Sequence, residues 1–265
     1  MIRETVINSK YKNNHDICQL MSRLPSAFEN GEGELIYDKR NKLRRFCLAD
    51  GTVIIVKKYK HPNLFQQICY STFWSNKAKK SSFFADYLIN IGIDTPVPIA
   101  YVTYKRLGIV CEYYLVTSEV QGVGSNILMK KMEETNDTEG MATLASAITS
   151  LLARLHENGF LHGDSNLSNF ICIKSDEGYE LSVIDINRSK ILNRPATYKE
   201  CIRNLRRTSH IHSILTVLAK TYAKHRGWDE TKVANDVISE LTKFEKQKAR
   251  SRSLKKFLTL SFRHS

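Results

Sequence analysis

The chain has 265 residues, enough for one large domain or two small lobes with proper cores. An apolar content of 42% is that of a folded globular protein and excludes an intrinsically disordered chain. The formal net charge of +13 indicates an anionic partner, and charge alone does not choose among nucleic acid, phospholipid head groups and an acidic substrate.

The first residues of the sequence, from Met1 to Thr5, have neither the basic start nor the apolar core of a signal peptide. No apolar run approaches the ~20 residues that a membrane-spanning helix needs. The six cysteines are scattered, without Cys-x-x-Cys pairs, which favours reduced thiols. We therefore expect a cytoplasmic protein, which could still lie on a membrane surface.

The first half of the chain is rich in strand signals. Residues 1–30 are polar and weakly patterned. Apolar and β-branched runs then predict five strands, at about residues 33–37, 43–48, 52–59, 98–104 and 109–117. Asp50-Gly51 is a hairpin signal between the second and third strands. Apolar residues at helical intervals predict one long helix over residues 64–91, which Gly92 ends.

The second half is mainly helical. Gly122-Val123-Gly124 is typical of a flexible junction. From Met141 to Leu155 the apolar residues follow the i, i+3, i+4, i+7 pattern, and Asn158-Gly159 closes that helix. Two more helices are expected at about 198–225 and 229–247, with Asp229 as the N-cap of the second.

Between these helices lies the stretch Leu161–Phe170, which contains His162-Gly163-Asp164, four further residues and then Asn169. Residues 170–184 predict a short β-hairpin that ends at Asp185 and carries it back beside Asn169. Phosphoryl transfer from a nucleotide needs a carboxylate that orients the attacking hydroxyl and accepts its proton, and oxygen ligands that hold Mg²⁺. Asp164 suits the first role, and Asn169 and Asp185 suit the second.

His162, at the start of this loop, has two interpretations. We favour a structural role, in which the ring braces the loop backbone, over a role as a base.

The elements and the motif together indicate an α+β protein with a two-lobed, protein-kinase-like fold. Residues 1–120 are expected to form a small antiparallel N-lobe of five strands and one helix that binds nucleotide. Residues 121–265 are expected to form a mainly helical C-lobe. This lobe would carry the catalytic loop, the metal site, the acceptor-binding helices and a basic tail at 243–265.

The His-Gly-Asp-x-x-x-x-Asn loop with its later Asp resembles the atypical branches of the protein-kinase-like superfamily. The chain is similar, more closely, to the lipopolysaccharide core sugar kinases, the Kdo and heptose kinase family. The likeness spans about residues 33–220 and includes, besides the loop, the segments 92–100, Asp185–Arg188 and Asn204–Arg207. The resemblance implies an ATP-dependent, Mg²⁺-requiring kinase that acts on a sugar hydroxyl, of Kdo or heptose, in the lipopolysaccharide inner core.

The resemblance also implies a lysine that contacts the nucleotide phosphates. Lys57 ends the apolar run Val53–Val56 and matches that lysine, and Lys58 is its rival by one register step. Strand alternation puts the two side chains on opposite faces, so only one can point into the cleft, and we favour Lys57.

The sequence departs from the usual kinase pattern in two places that concern the nucleotide. The turn Asp38–Asn41 takes the place of a glycine-rich loop, so a short basic turn is expected to cover the phosphates. The long helix contains a single carboxylate, Asp86, of uncertain register. Which carboxylate, if any, pairs with Lys57 therefore stays open.

Two basic regions are expected to meet the anionic partner. The first is an arginine cluster, Arg188, Arg203, Arg206 and Arg207, whose guanidinium groups match carboxylates and phosphates. We expect it to bind a lipopolysaccharide core or lipid A glycolipid acceptor, and the alternative is a solvated helix face. The second is the tail, in which basic and apolar residues alternate from Lys243 to Arg263. It suits the anionic cytoplasmic face of the inner membrane, or else it stays solvated.

Other functions remain to be weighed against a lipopolysaccharide kinase. A protein-kinase-like phosphotransferase could act on a soluble small molecule or on protein, although a neutral soluble substrate would not require the basic surfaces. A nucleic-acid-binding protein or an inactive kinase-like scaffold would also fit the charge. No zinc finger or RNP motif is recognisable, so no nucleic-acid partner is expected.

Overall fold

The computed structural model describes residues 2–72, 74–176 and 178–261. Contacts divide the chain into two units. Unit 1 consists of the described residues up to Gly122 together with the segment Ser182–Arg188. Unit 2 consists of Val123–Leu181 and the described residues from Ser189 onward. Unit 1 therefore takes in a segment that lies more than fifty residues beyond its main part, and Asp185 belongs to that segment.

Unit 1 is built on one antiparallel sheet. Its elements, in chain order, are β1 (Ile2–Ile7), α1 (His15–Ser22), α2 (Leu24–Glu29), β2 (Glu34–Asp38), β3 (Lys42–Cys47), β4 (Val53–Lys58), α3 (Leu64–Thr72), α4 (Lys77–Asn90), β5 (Pro98–Arg106) and β6 (Ile109–Ser118). The strand order is β1-β5-β6-β4-β3-β2. The antiparallel α+β class is confirmed. The predicted five strands and one helix are corrected to six strands and four α-helices among the described residues of unit 1.

The sixth strand and the first two helices come from the segment that looked weakly patterned. β1 pairs with β5 from Ile2↔Lys105 to Ile7↔Ala100, a partner about one hundred residues away in the chain. Asn14 caps α1 by accepting the Ile17 N–H at 3.0 Å. Local pattern does not reveal such a distant pairing, and the two short helices have only a few buried residues each.

The predicted single helix over residues 64–91 is wrong. α3 ends at Thr72, and α4 begins at Lys77 with Asn76 as its N-cap. The Asn76 side chain accepts the Lys79 N–H at 3.0 Å, which satisfies a donor that a continuous helix would have bonded internally. Phe73, which the prediction placed inside the helix, lies outside the described residues. The predicted stop is confirmed, since Gly92 has a φ of +69° directly after α4.

The sheet of unit 1 carries helices on both faces. On one face α1 and α2 bury Leu20, Leu24 and Phe28 against Ile54 and Val56 of β4. On the other face Tyr59, Ala78, Val110, Tyr113 and Leu115 form a second cluster beneath α3 and α4. Because side chains alternate along a strand, the two faces separate Lys57 from Lys58.

Unit 2 is mainly helical. Its elements, in chain order, are β7 (Val123–Gly124), α5 (Ser125–Glu134), α6 (Thr138–Glu157), β8 (Phe160–Leu161), β9 (Phe170–Ser175), β10 (Gly178–Val183, whose last two residues group with unit 1), β11 (Lys190–Ile191), α7 (Tyr198–Leu205), α8 (His212–Arg226) and α9 (Glu230–Ser261). α6 forms the centre of the core, and its apolar face is buried at Leu144, Ile148, Leu152 and Leu155.

The predicted ends of the unit 2 helices are partly right. Gly159 follows α6 with a φ of +69°, and a Cβ there would come within 2.6 Å of the Leu192 carbonyl oxygen, so glycine is required. Asp229 caps α9 by accepting the Lys232 N–H at 2.6 Å, as predicted. The helix expected over residues 198–225 is instead two helices, α7 and α8. Among the residues that the structure describes, no helix combines the length and the apolar character needed to cross a bilayer.

Candidate active site

In unit 1 the predicted nucleotide lysine meets the predicted metal ligand. Lys57 Nζ lies 2.8 Å from Asp185 Oδ1, and the lysine side chain is 18% exposed. Asn187 Nδ2 donates to the same carboxylate oxygen at 2.6 Å. The carboxylate that pairs with Lys57 in this structure is therefore Asp185. Asp86, the candidate that the sequence offered, lies on the exposed side of α4.

The backbone at Asp185 is in an unusual conformation. Its φ of +55° lies in the left-handed region, which residues other than glycine seldom adopt, although Asp tolerates it better than most. Such strain persists only where the surroundings impose it, and it concentrates at functional sites. The strained position supports a functional role for Asp185.

Two hydrogen bonds within unit 1 hold the strand end that leads to Asp185. The Val183 N–H donates to the Asp94 carbonyl at 2.8 Å. The Thr95 hydroxyl donates to the Val183 carbonyl at 2.7 Å, and this hydrogen bond is buried. Part of the segment 92–100, which sequence analysis included in the family resemblance, thus holds the strand end that leads to Asp185, the predicted metal ligand.

A group of cations surrounds this carboxylate. Burial, followed by the nearby charges of Arg40 and Arg188, lowers the pKa of Lys77, and Lys57 and Asp185 also act on it. Clustered cations of this kind match the charge of a polyphosphate. Sequence analysis missed Lys77 because it placed this residue in mid-helix, whereas Lys77 is the first residue of α4.

Lys58 has different neighbours from Lys57. Its Nζ lies 3.3 Å from Glu112 Oε1 and 5.5 Å from the centroid of the Tyr114 ring, on the sheet face that carries α1 and α2. The predicted separation of the two lysines by strand alternation is observed.

In unit 2 the predicted catalytic loop is fixed by its own polar groups. Asn169 Nδ2 donates to the backbone carbonyl of Asp164 at 2.7 Å. The Asp164 N–H donates to His162 Nδ1 at 3.0 Å, and His162 is 1% exposed. The buried ring of His162 therefore braces the loop, in line with the structural interpretation. Asp164 itself is half-buried.

Asn204 of α7 supports the same loop from beneath. Its Nδ2 donates to the His162 carbonyl at 2.7 Å, and its own carbonyl accepts the Ser165 hydroxyl at 2.6 Å. Asn204 Oδ1 lies 3.1 Å from His156 Nε2, and His156 Nδ1 lies 2.7 Å from the Tyr222 hydroxyl. Because Oδ1 can only accept, Nε2 of a neutral His156 carries the proton and Nδ1 accepts from Tyr222. Sequence analysis identified the segment Asn204–Arg207 by resemblance but did not assign this role.

The four predicted acceptor-binding arginines have different environments. Arg188 belongs to unit 1, in the cation group around Asp185. Arg206 is packed against α9, with its guanidinium carbon 4.4 Å from the centroid of the Phe244 ring and its side chain 14% exposed. Arg203 is 54% exposed and lies 3.7 Å from Glu240. Arg207 is exposed and donates to the Gly163 carbonyl at 2.7 Å, directly before Asp164.

Asp185 in unit 1 and Asn169 in unit 2 each carry a side-chain oxygen of the kind that Mg²⁺ prefers, a carboxylate oxygen and an amide oxygen. Because Asn169 uses Nδ2 to donate to Asp164, its Oδ1 is the amide atom suited to a cation. No group of three or more His, Cys, Asp or Glu side chains that could hold a metal occurs among the described residues.

The predicted hairpin between Asn169 and Asp185, the two predicted metal ligands, is present. β9 and β10 are neighbours in one sheet. Asn169 directly precedes β9, and Asp185 lies two residues beyond β10. The structure thus brings Lys57 together with Asp185 within unit 1, and Asp164 together with Asn169 within unit 2.

Comparison with known proteins gives a family and a fold. The model of the lipopolysaccharide kinase (Kdo/WaaP) family matches residues 83–214. This range contains Asp164, Asn169 and Asp185, and Lys57 lies outside it. A search of the curated proteins found no match.

The solved structures that are similar to the chain include the following two. The structure of WaaP in complex with acyl carrier protein has a TM-score of 0.61 at 16% identity, and the match covers 93% of this chain and 98% of that one. The pseudokinase domain of BIR2, an immune regulator of the RLK/Pelle family, has a TM-score of 0.41 at 11% identity, over 91% of this chain and 90% of that one. The first likeness confirms the predicted protein-kinase-like fold. With the family match over residues 83–214, this chain belongs to the lipopolysaccharide kinase (Kdo/WaaP) family and is a phosphotransferase that acts on an alcohol group.

Proposed function

We propose that the chain is an ATP-dependent kinase that phosphorylates a hydroxyl of Kdo or heptose in the lipopolysaccharide inner core. The observation that carries the proposal is the geometry of the loop around Asp164. His162 and Asn169 hold both backbone polar groups of Asp164, at 3.0 and 2.7 Å, and leave its carboxylate on a half-buried surface. The family match supports a lipopolysaccharide acceptor.

In this proposal Asp164 orients the acceptor hydroxyl and accepts its proton. General-base catalysis of this kind requires a carboxylate held in place by its surroundings, and two backbone hydrogen bonds supply that. Asn169 supplies its amide oxygen to a magnesium ion, because its amide nitrogen is committed to the Asp164 carbonyl.

Lys57 and Asp185 act on the nucleotide. Mg²⁺-ATP, when bound, supplies the phosphoryl group and neutralises part of the charge that develops during transfer. Asp185 is the carboxylate ligand of the metal, and Lys57 binds phosphate oxygens. The 2.8 Å ion pair between them holds the lysine ammonium group beside the carboxylate. The cations of Lys77, Arg40 and Arg188 add positive charge in the same environment.

Arg207 and Arg203 are the arginines best suited to the anionic acceptor, because both remain exposed. The basic tail at 243–265 is proposed to hold the enzyme on the anionic cytoplasmic face of the inner membrane. Within the tail, α9 continues to Ser261, and residues 245–253 are exposed, which leaves this basic stretch free to meet lipid.

The test uses the purified chain with Mg²⁺-ATP and a lipid A–Kdo acceptor, read by mass. The expected result is the gain of one phosphate on the glycolipid, located by fragmentation on the Kdo. A heptose-containing core acceptor, assayed in parallel, decides between the two sugars.

The key variant is Asp164→Asn, which keeps the side-chain shape and removes the base. We expect kcat to fall by roughly 10²–10⁴-fold, the usual contribution of general-base catalysis. Asp176→Asn, at an exposed aspartate in the β9–β10 turn, is the matched control and should retain full activity. Hydrolysis of ATP without phosphate on either glycolipid, or an active Asp164→Asn enzyme, would refute the proposal. Transfer only to a soluble sugar or protein would favour the alternative acceptor.

A further inference from the structure

The outer surface of α3 in unit 1 is apolar and uncovered. No residue of α3 is buried. Leu64, Phe65 and Ile68 are 77%, 67% and 57% exposed, and they share one side of the helix by their i, i+3 and i+4 spacing. Trp74, just beyond the helix, is 53% exposed and meets the Phe65 ring edge-on at 6.1 Å.

The side of α3 that faces the sheet is the more polar one. The Ser71 hydroxyl accepts the Val110 N–H at 2.8 Å, and the Tyr70 ring packs edge-on against Tyr113. Gln67 Nε2 donates to the Pro62 carbonyl at 3.0 Å. A helix on the water-facing surface of a globular protein normally has the opposite arrangement, with its largest apolar residues inward. The arrangement of α3 therefore indicates that its outer side meets an apolar partner.

Unit 1 has two further exposed apolar side chains, on α4 and in the β5–β6 turn. Phe83 on α4 is 61% exposed and is flanked, three and four residues earlier, by the exposed Lys80 and Lys79. Leu107, at the tip of the β5–β6 hairpin, is 94% exposed and has a φ of +51°. A turn position with positive φ ordinarily favours Gly or Asn, so an exposed leucine there is costly unless it gains contacts elsewhere.

The charged residues of the sequence segment that contains α3 and the start of α4 have one sign. Residues 60–85 contain four lysines, Lys60, Lys77, Lys79 and Lys80, and no Asp or Glu. Aromatic side chains beside lysines, on an exposed helix without acidic residues, are the combination that inserts at the head-group level of an anionic bilayer. Each lysine near an anionic bilayer adds electrostatic attraction to the head groups, and each inserted aromatic ring removes apolar area from water. Both effects favour membrane binding.

We propose that Leu64, Phe65, Ile68, Trp74 and Phe83 form a membrane-docking surface that places unit 1 on an anionic phospholipid leaflet. This surface is separate in sequence from the basic tail of unit 2. It gives the enzyme a second contact with lipid. This contact is made by apolar side chains that insert into the bilayer, whereas the tail binds mainly through the attraction of its positive charges to anionic head groups. The docking surface does not take part in phosphoryl transfer. The test of membrane docking is therefore independent of which acceptor sugar the enzyme phosphorylates.

The test uses the full-length chain and vesicles of phosphatidylglycerol and phosphatidylethanolamine. Trp228→Phe leaves Trp74 as the single tryptophan, since the chain has two. On addition of vesicles we expect the Trp74 emission to shift to the blue and to be quenched by lipids that carry a spin label near the head group. The double variant Phe65→Ser/Ile68→Ser should lower the vesicle partition coefficient by roughly tenfold or more, because two inserted side chains are lost.

Ile127→Ser is the matched control, because Ile127 is also on a helix and is 59% exposed, but lies in unit 2. It should bind vesicles like the wild type, and all variants should keep the wild-type KM for ATP and the same thermal transition. Unchanged vesicle binding by the double variant, or a Trp74 that lipid does not quench, would overturn the proposal. It would equally be overturned if the emission responded only to an acyl carrier protein, or if the double variant converted a dimer into a monomer.

Discussion

Lys57 and Lys58 are adjacent in sequence but have different partners. Lys57 pairs with Asp185 at 2.8 Å, whereas Lys58 pairs with Glu112 at 3.3 Å on the opposite face of the sheet. If Lys57 binds the phosphates, Lys57→Met removes a charge that no neighbour on β4 can replace. We expect kcat/KM for ATP to fall by about 10²-fold or more, measured from initial rates at varied ATP.

Lys58→Met is the matched control for that variant. It removes a lysine of the same strand and is expected to change kcat/KM for ATP less than about threefold, because the Lys58 ion pairs are partly exposed and weak. If Lys58→Met proved to be the damaging change, the assignment of the phosphate lysine would be reversed.

Arg206 and Arg207 are also neighbours with different surroundings. Arg206 is largely buried against Phe244 and donates to the Glu240 carbonyl at 3.3 Å, so it contributes mainly to the packing of α7 against α9. Arg207 is exposed and reaches the carbonyl before Asp164. We expect Arg207→Gln to raise the KM for the glycolipid acceptor severalfold with little change in the KM for ATP.

Arg206→Gln should show the opposite pattern, a lower melting temperature with an acceptor KM close to the wild type. Steady-state kinetics and thermal unfolding of both variants separate the two roles. An equal rise in acceptor KM for the two variants would mean that both arginines contact the acceptor, as the sequence first suggested.

Among the secondary-structure elements, helix α6 carries a buried titratable side chain, His156. Burial lowers the pKa of His156 to about 4, and its two ring nitrogens already have partners in Tyr222 and Asn204. An unfolded histidine binds a proton near pH 6.5, so the unfolded state binds more protons below that pH. Folding stability is therefore full above about pH 6.5 and is lost progressively as the pH falls towards 4, by a total on the order of 3 kcal/mol.

Urea unfolding at pH 7, 6 and 5 measures this effect. His156→Gln removes the titrating ring, so its stability should change less between pH 7 and pH 5 than that of the wild type, although it starts lower. His225→Gln, at an exposed histidine of α8, should keep the wild-type slope. A parallel slope in His156→Gln would show that other groups set the pH dependence.

The elements that the sequence predicted well are those with strong local signals. The strands β2 to β6 carry β-branched runs and turn residues, and α6 carries a continuous apolar stripe, so these elements were predicted. The break between α3 and α4 was missed because apolar residues continue through it. The cap at Asn76 then gives the only local sign of a new helix. β1 was missed because its stability comes from pairing with β5, which no local window contains.

Part of the candidate site could also be predicted from local sequence signals, and part could not. Spacing alone selected Asp164, Asn169 and Asp185, because each follows or precedes a short apolar strand. Spacing does not reveal that Asp185 pairs with Lys57, since these residues are brought together by long-range contacts within unit 1. Nor does it separate Arg206 from Arg207, whose roles depend on how α9 covers α7.

At the scale of the whole molecule, the net charge of +13 is divided among different tasks. Part of it lies around Asp185 in unit 1, where phosphate is proposed to bind. Another part borders the apolar surface of α3. A third part lies in the tail, whose described residues belong to the end of α9. Among the residues of α9 whose exposure is described, Leu241 is the last buried one, and the helix continues to Ser261. The total net charge therefore did not identify the anionic partner, whereas the position of each group of basic residues suggests which partner that group binds.

The tail provides a test at this scale. Deleting residues 249–265 removes five cations and no carboxylate, which lowers the formal net charge from +13 to +8. Residues 249–253 are exposed, so their removal uncovers no buried side chain, and a thermal unfolding curve of the truncated chain checks that it stays folded. Binding to phosphatidylglycerol vesicles should weaken strongly at low salt, because each cation near an anionic surface contributes about 1 kcal/mol, and the difference should shrink as salt screens the charges. Arg250→Gln/Arg252→Gln, which preserves the chain length, should have an intermediate effect in the same sedimentation assay. A truncated chain that binds vesicles as well as the full-length chain would exclude the tail as a membrane contact and leave the surface of α3 as the remaining candidate.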